Sequence, residues 1–180
     1  MKKTISTFVI LTLFFFYAAA QETSVKIYNP LADAKADLAK AIRTANSLNK
    51  NVLIQVGGNW CPWCIKFHKF CKNDTIIDTL MNNNYVVVHL NYGKGTEPKN
   101  LEILKELDFP QRFGFPVFVI LNKKGKRIHT QDSSFLESGE GYDQKKIISF
   151  LKQWTVSALD PEKYNKNTHI IIIIPQKSKS

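Results

Sequence analysis

Apolar residues recur at three- and four-residue steps through Leu31, Ala34, Leu38, Ala41, Ile42, Ala45 and Leu48. That is the stripe of an amphipathic helix with one face turned to a core. Asn49 to Asn51 end it, and the period changes. NVLIQVGG, residues 51–58, is an apolar run of strand length closed by two glycines, and the chain passes at once into WCPWCIKFHKFCKN. Pro62 suits the first turn of a helix, where its missing N–H costs nothing, so Cys61 stands at a helix start. A second helical piece, DTIIDTLMNN, follows with Asp74 or Thr75 as its cap. YVVVHLNY is a β-branched strand, and EPKNLEILKELDF predicts a helix opened by an acid and a proline. FPVFVILN and KRIHTQ, joined across Lys123, Lys124 and Gly125, predict a hairpin. Ile147, Ile148, Leu151 and Trp154 then mark a helix over Asp143 to Trp154. Helices and strands alternating in this order predict an α/β domain with a central mixed β-sheet flanked by helices.

The first residues change the setting. In MKKTISTFVILTLFFFYAAAQ, Lys2 and Lys3 precede an apolar run and the small residues Ala18, Ala19 and Ala20, the pattern of a secretory signal peptide with cleavage after Ala20. The run is too short for a permanent membrane span, and no cysteine at the cleavage point can take a lipid. Export without stable membrane insertion is expected, to the periplasm or the exterior. The 180 residues then divide into a leader over 1–20, one domain over 21–160 and a tail over 161–180 without an assigned role. In that tail the run Ile170 to Ile174 could add an edge strand or form an aggregation-prone end.

A formal charge of +10, or +8 without the two leader lysines, invites an anionic partner. The charges are scattered, however, apart from KKGKR at Lys123 to Arg127, which reads as a solvated hairpin, so a nucleic-acid partner is not expected. No phosphate-cradling glycine loop is present, Gly57 and Gly58 belonging to a turn, and no cofactor is expected.

The three cysteines carry the chemistry. Cys61, Cys64, His68 and Cys71 are all acceptable zinc ligands, but on one helix Cys64 and Cys71 lie about 10 Å apart along the axis. Ligands of one zinc sit within about 2.3 Å of it, and bridged Cα atoms normally within about 7 Å of each other. A shared metal and a Cys64–Cys71 bridge are both disfavoured, leaving Cys71 as a small buried apolar residue and His68 as a surface one. Cys61 and Cys64 share the first helical turn. The free N–H groups and positive dipole end there stabilise a thiolate at Cys61, which makes it the attacking sulfur and Cys64 the resolving one. A structural bridge over so short a loop would remove little chain entropy.

VLIQVGGNWCPWC, YVVVHLNY and GFPVFVILNKKGKRI together resemble the thioredoxin-like superfamily, in particular its exported thiol-disulfide oxidoreductases, over roughly Leu31 to Trp154. The resemblance implies a thioredoxin-like fold, redox catalysis by Cys61 and Cys64, and a cis bond between Phe115 and Pro116. It also implies that the backbone of Phe115 pairs with an extended substrate peptide inside an apolar rim of Trp60, Pro62 and Trp63. Disulfide-containing exported proteins are the expected partners, and a dithiol reducing them in an oxidising compartment would need a membrane electron donor to recharge it. Two departures stand out. Gln55, six residues before Cys61, replaces the buried aspartate usual in thioredoxins, and an amide cannot take a proton; His89 or a bound water is expected to take over that transfer. The Pro–Trp pair between the cysteines matches neither the usual reducing nor the usual oxidising pair, so reduction is favoured here from the oxidising compartment alone. The alternative is a non-enzymatic metal- or haem-delivery carrier, or an adaptor, on the same fold.

Overall fold

A computed structural model describes residues 25–165. The leader and the isoleucine run lie outside the described residues. Six helices and six strands follow in chain order: α1 Ala34–Leu48, β1 Asn51–Gly57, α2 Pro62–Asn73, α3 Thr75–Asn84, β2 Tyr85–Asn91, α4 Leu101–Glu106, β3 Val117–Leu121, β4 Arg127–Asp132, β5 Glu137–Ser138, β6 Gly141–Tyr142, α5 Gln144–Gln153 and α6 Glu162–Asn165. The main sheet has the order β2-β1-β3-β4, with β1 parallel to β2 and antiparallel to β3, while β5 and β6 form a separate hairpin. This is the expected mixed sheet between helical layers.

All seven residues of β1 are buried, as a strand covered on both faces must be. Alternation divides its side chains. Val52, Ile54 and Val56 join Val117, Val119 and Leu121 under α1 and α4, while Leu53 joins Phe118 and Ile120 under α2, α3 and α5. Phe67 on α2 is 1% exposed and packs on Phe118, ring centroids 4.3 Å apart, and on Tyr142 at 5.1 Å. The helix that carries the cysteines is thereby pinned to the sheet.

Local signals set the helix ends. The Asp33 carboxylate accepts the Lys35 and Ala36 N–H groups, Asp74 accepts those of Ile76 and Ile77, and Asp143 accepts that of Lys146. Asn49 stops α1 in the left-handed conformation at φ 53°. Between β3 and β4, Asn122 Oδ1 accepts the Lys124 and Lys126 N–H groups, and Gly125 takes φ 83°.

Two expectations need correction. Leu31 precedes α1 and is 90% exposed, because Asp33 caps the helix after it; the buried stripe is carried by Ala41 and Ala45. Glu97 and Pro98 do not open α4, which starts only at Leu101: the chain first turns back from β2, Gly93 N–H donating to the Pro98 carbonyl at 3.0 Å. β1 starts at Asn51 as expected, and the Asn51 amide ties the strand to the Trp154 carbonyl at the end of α5, 2.8 Å away.

Phe67→Ala should lower stability by about 3–5 kcal/mol in a denaturant titration, whereas Leu31→Ala should stay within about 0.5 kcal/mol of the parent. Equal effects would contradict this account of the core.

Candidate active site

β1 runs out at Gly57, and a turn in which the Cys61 N–H donates to the Gly58 carbonyl at 3.0 Å leads into α2. Cys61 is the N-cap of that helix, with extended backbone at φ −96° and ψ 104°. Its sulfur accepts the Cys64 N–H at 3.1 Å, filling the place of the usual hydroxyl or carboxylate cap. Two intervening residues on one turn bring the Cα atoms to 5.2 Å, and Cys61 and Cys64 are joined as a disulfide. Cys61 is 3% exposed and Cys64 fully buried, so in the oxidised form the sulfur nearer the surface is itself almost covered.

One wall of the site is aromatic. Trp60, 37% exposed, donates its indole N–H to the Tyr92 carbonyl at 2.8 Å and meets Phe115 edge-on at 5.3 Å. Phe115 also packs on Tyr92, at 4.8 Å, and against the disulfide; the peptide bond from Phe115 to the buried Pro116 is cis. Pro62 is exposed on the first turn of α2. Trp63 borders the disulfide but is half-buried, lying edge-on to Tyr142 at 5.5 Å with the Lys66 ammonium 4.5 Å above its ring. The Tyr142 hydroxyl donates to the Trp63 carbonyl at 3.2 Å, so β6 supplies a second wall that sequence reasoning missed.

The floor is polar and uncharged. Gln55 is 3% exposed and its Nε2 donates to the Cys64 carbonyl at 3.0 Å and to the Tyr28 hydroxyl oxygen at 2.9 Å. A carbonyl can only accept, which fixes the amide's orientation. Tyr28, itself 3% exposed, packs on both cysteines; burial raises its phenol well above the usual range. It is held by Asn59, whose Oδ1 accepts the Ile27 and Tyr28 N–H groups at 3.0 and 3.1 Å and whose Nδ2 donates to the Tyr28 carbonyl at 2.8 Å. No period or motif in VKIYNP marks this tyrosine, and its partner lies 31 residues away, so nothing in the sequence pointed to it.

His89 stands beside Gln55 across the β1–β2 pair, its ring edge-on to Tyr28 at 5.5 Å. Burial, followed by the neighbouring His68 and Lys72, lowers its pKa to about 4. Two residues further along, Asn91 stands opposite Gly57; the Asn91 side chain is buried and makes no hydrogen bond among the described residues. Behind the site, His68, Cys71, His89, Met81 and Val87 help to line a cavity of about 230 Å³ between α2, α3 and β2. Cys71 is free and buried there, and burial raises its thiol far above the ordinary range. His68 is half-buried rather than a surface residue, 5.5 Å from His89 between ring centroids, and burial is the main cause lowering its pKa. Among the described residues, no group of three or more His, Cys, Asp or Glu side chains is placed to hold a metal.

Comparison with known proteins agrees with this geometry. The thioredoxin-like domain family model matches residues 38–133. A disulphide isomerase from Xylella fastidiosa Temecula1 superimposes with a TM-score of 0.63 at 25% identity, covering 72% of this chain and 96% of that one. A thioredoxin from Thermus thermophilus gives 0.52 at 19% identity, with coverage of 73% and 93%. No curated protein sequence matches significantly. With a fold of the disulfide-oxidoreductase type, a close Cys61–Cys64 pair and a family match over more than half of its length, the chain belongs to the thioredoxin-like domain family.

Proposed function

We propose that the protein is an exported thiol-disulfide oxidoreductase that reduces disulfides of other exported proteins. The observation that carries this reading is a cysteine serving as the N-cap of α2 while bonded to the cysteine one turn further on. In the dithiol form the Cys61 thiolate attacks one sulfur of a substrate disulfide; the substrate bond breaks, its other sulfur leaves as a thiolate and takes a proton from solvent. The Cys64 thiolate then attacks Cys61 Sγ, closing the protein disulfide and releasing the second substrate sulfur. Two electrons pass to the substrate, and a membrane-held dithiol donor restores the starting state. Phe115 and Pro116 offer an extended backbone edge to the substrate, and Trp60, Pro62 and Trp63 an apolar rim. The isomerase among the similar structures supports this reading, because disulfide isomerisation also proceeds by attack of a reactive thiolate on a disulfide.

Export rests on the leader pattern. Among the described residues no helix is long and apolar enough to cross a membrane. Gln55 cannot take the resolving proton, and an imidazole with a pKa of about 4 is a weak acceptor, so this proton passes to solvent.

The protein should reduce insulin at the expense of dithiothreitol, and Cys61→Ser should abolish that activity. Cys64→Ser should accumulate covalent adducts with substrate proteins, visible on non-reducing gels. The absence of adducts, together with a metal that only chelators remove, would favour the carrier reading. A reduction potential below about −220 mV supports the reductase direction, and one near −120 mV the oxidase.

His89 generates a separate expectation. Its folded pKa of about 4 lies below the ordinary ~6.5, so between those values the unfolded chain binds a proton that the folded chain does not. Stability is therefore whole above about pH 6.5 and is lost as the pH falls through about 4, by about 3 kcal/mol from this group. His89→Asn should flatten that acid limb in denaturant titrations while leaving the pH–rate profile above about pH 6 unchanged. A shifted rate profile would return His89 to the mechanism.

A further inference from the structure

The Gly57 position has room for no side chain. A Cβ built there would lie 2.4 Å from the Cys64 sulfur and 2.7 Å from the Tyr28 hydroxyl oxygen, so those two atoms are at most 5.1 Å apart, the sum of the two distances. The glycine leaves the space between them clear. Gln55 Nε2 already donates to the Tyr28 oxygen, so the phenolic proton must point elsewhere. The hydroxyl is not free to swing away: the Ile27–Tyr28 backbone is clamped by three hydrogen bonds to Asn59, and the ring is packed on the disulfide and on His89.

Resting on the oxidoreductase reading above, we infer that Tyr28 is a catalytic residue: when the disulfide is open, its hydroxyl donates a hydrogen bond to the Cys64 sulfur and stabilises the thiolate that resolves the mixed disulfide. Opening the bond lets the sulfurs separate to van der Waals contact, and the side open to Cys64 is the one above Gly57. Tyr28 keeps its proton throughout. The Cys64 proton goes to solvent, the Cys64 electron pair forms the new bond to Cys61 Sγ, and the Cys61–substrate bond breaks with its pair leaving on the substrate sulfur. The titratable groups around this step are Cys61 at the start of the same helix, Tyr28 from the N-terminal segment, His89 behind it on β2 and Tyr142 on β6, whose phenol burial also keeps protonated. Burial keeps Tyr28 protonated and His89 neutral at the pH of the reaction. A neutral donor therefore does here what a carboxylate cannot: it lowers the cost of the charged sulfur without itself changing protonation.

The test separates the two chemical steps. With 5,5′-dithiobis(2-nitrobenzoate), attack by Cys61 releases one coloured thiolate and resolution by Cys64 releases the second. Tyr28→Phe keeps the ring and should leave the first release within about twofold of the parent while slowing the second about tenfold at neutral pH. In a Cys61→Ser background, ultraviolet titration of the Cys64 thiolate should shift up by about one pH unit on Tyr28→Phe, with Cys71 silent because burial holds its thiol protonated. A Tyr28→Phe protein with the parent's second release and the parent's Cys64 titration would overturn the assignment. A parent that fails to give the first release would instead overturn the oxidoreductase reading. Should Tyr28→Phe not fold, Asn59→Ala, which frees the segment but keeps the hydroxyl, reads the same two steps: a slowed second release supports the role and an unchanged one refutes it.

Discussion

The disulfide can lie against the sheet only because β1 ends on a residue without a side chain. The space that a Cβ of Gly57 would fill is bounded by the Cys64 sulfur at 2.4 Å and the Tyr28 hydroxyl at 2.7 Å, both closer than real atoms tolerate. Alternation along β1 does the rest. Leu53, Gln55 and Gly57 share the face that meets α2, so an apolar anchor, an amide and a void follow one another toward the cysteines. The anchor packs against the layer that fixes the helix, the amide holds the Cys64 carbonyl, and the void receives its sulfur.

That arrangement yields a redox site without a charged floor. Where thioredoxins usually bury an aspartate, Gln55 donates two hydrogen bonds. A buried carboxylate must either be paired or give up its charge, whereas an amide carries no charge, and both N–H groups of this one are used. The buried Asn91 amide, two residues beyond His89, has no such partners among the described residues, and its desolvation costs about 1–3 kcal/mol. The polar strip along this face is thus compensated at Gln55 and left uncompensated at Asn91, beside Gly57.

Much of the fold was legible because it rests on local signals. The apolar run of β1, Pro62 at the first turn of α2, the Asp74 cap and the turn across Lys123 to Gly125 each act within a few residues, and each falls where expected. The errors arose where distance decides. Leu31 continues the helical period but lies before the Asp33 cap, and Pro98 resembles a helix start but serves the return from β2. The site divides the same way. Cys61, Cys64 and Trp60 declare themselves by spacing, and the helix start explains why. Tyr28 and Tyr142 do not, since each reaches the cysteine region through partners 31 and 79 residues away. His68, expected at the surface, is half-buried because α3 and β2 close over its face of α2, a packing that helical spacing alone does not reveal.

The clamp on Tyr28 also links the redox centre to the order in which the chain can become complete. α2 and its cap need only neighbouring residues, and the β1–β2 pairing needs a crossover of about thirty, but the floor closes only when a segment preceding α1 docks on the turn before Cys61. Until then Gln55 has lost one acceptor and the cysteines one covering wall. The sulfurs are therefore fully shielded only in the finished domain, where the segment before α1 completes their cover.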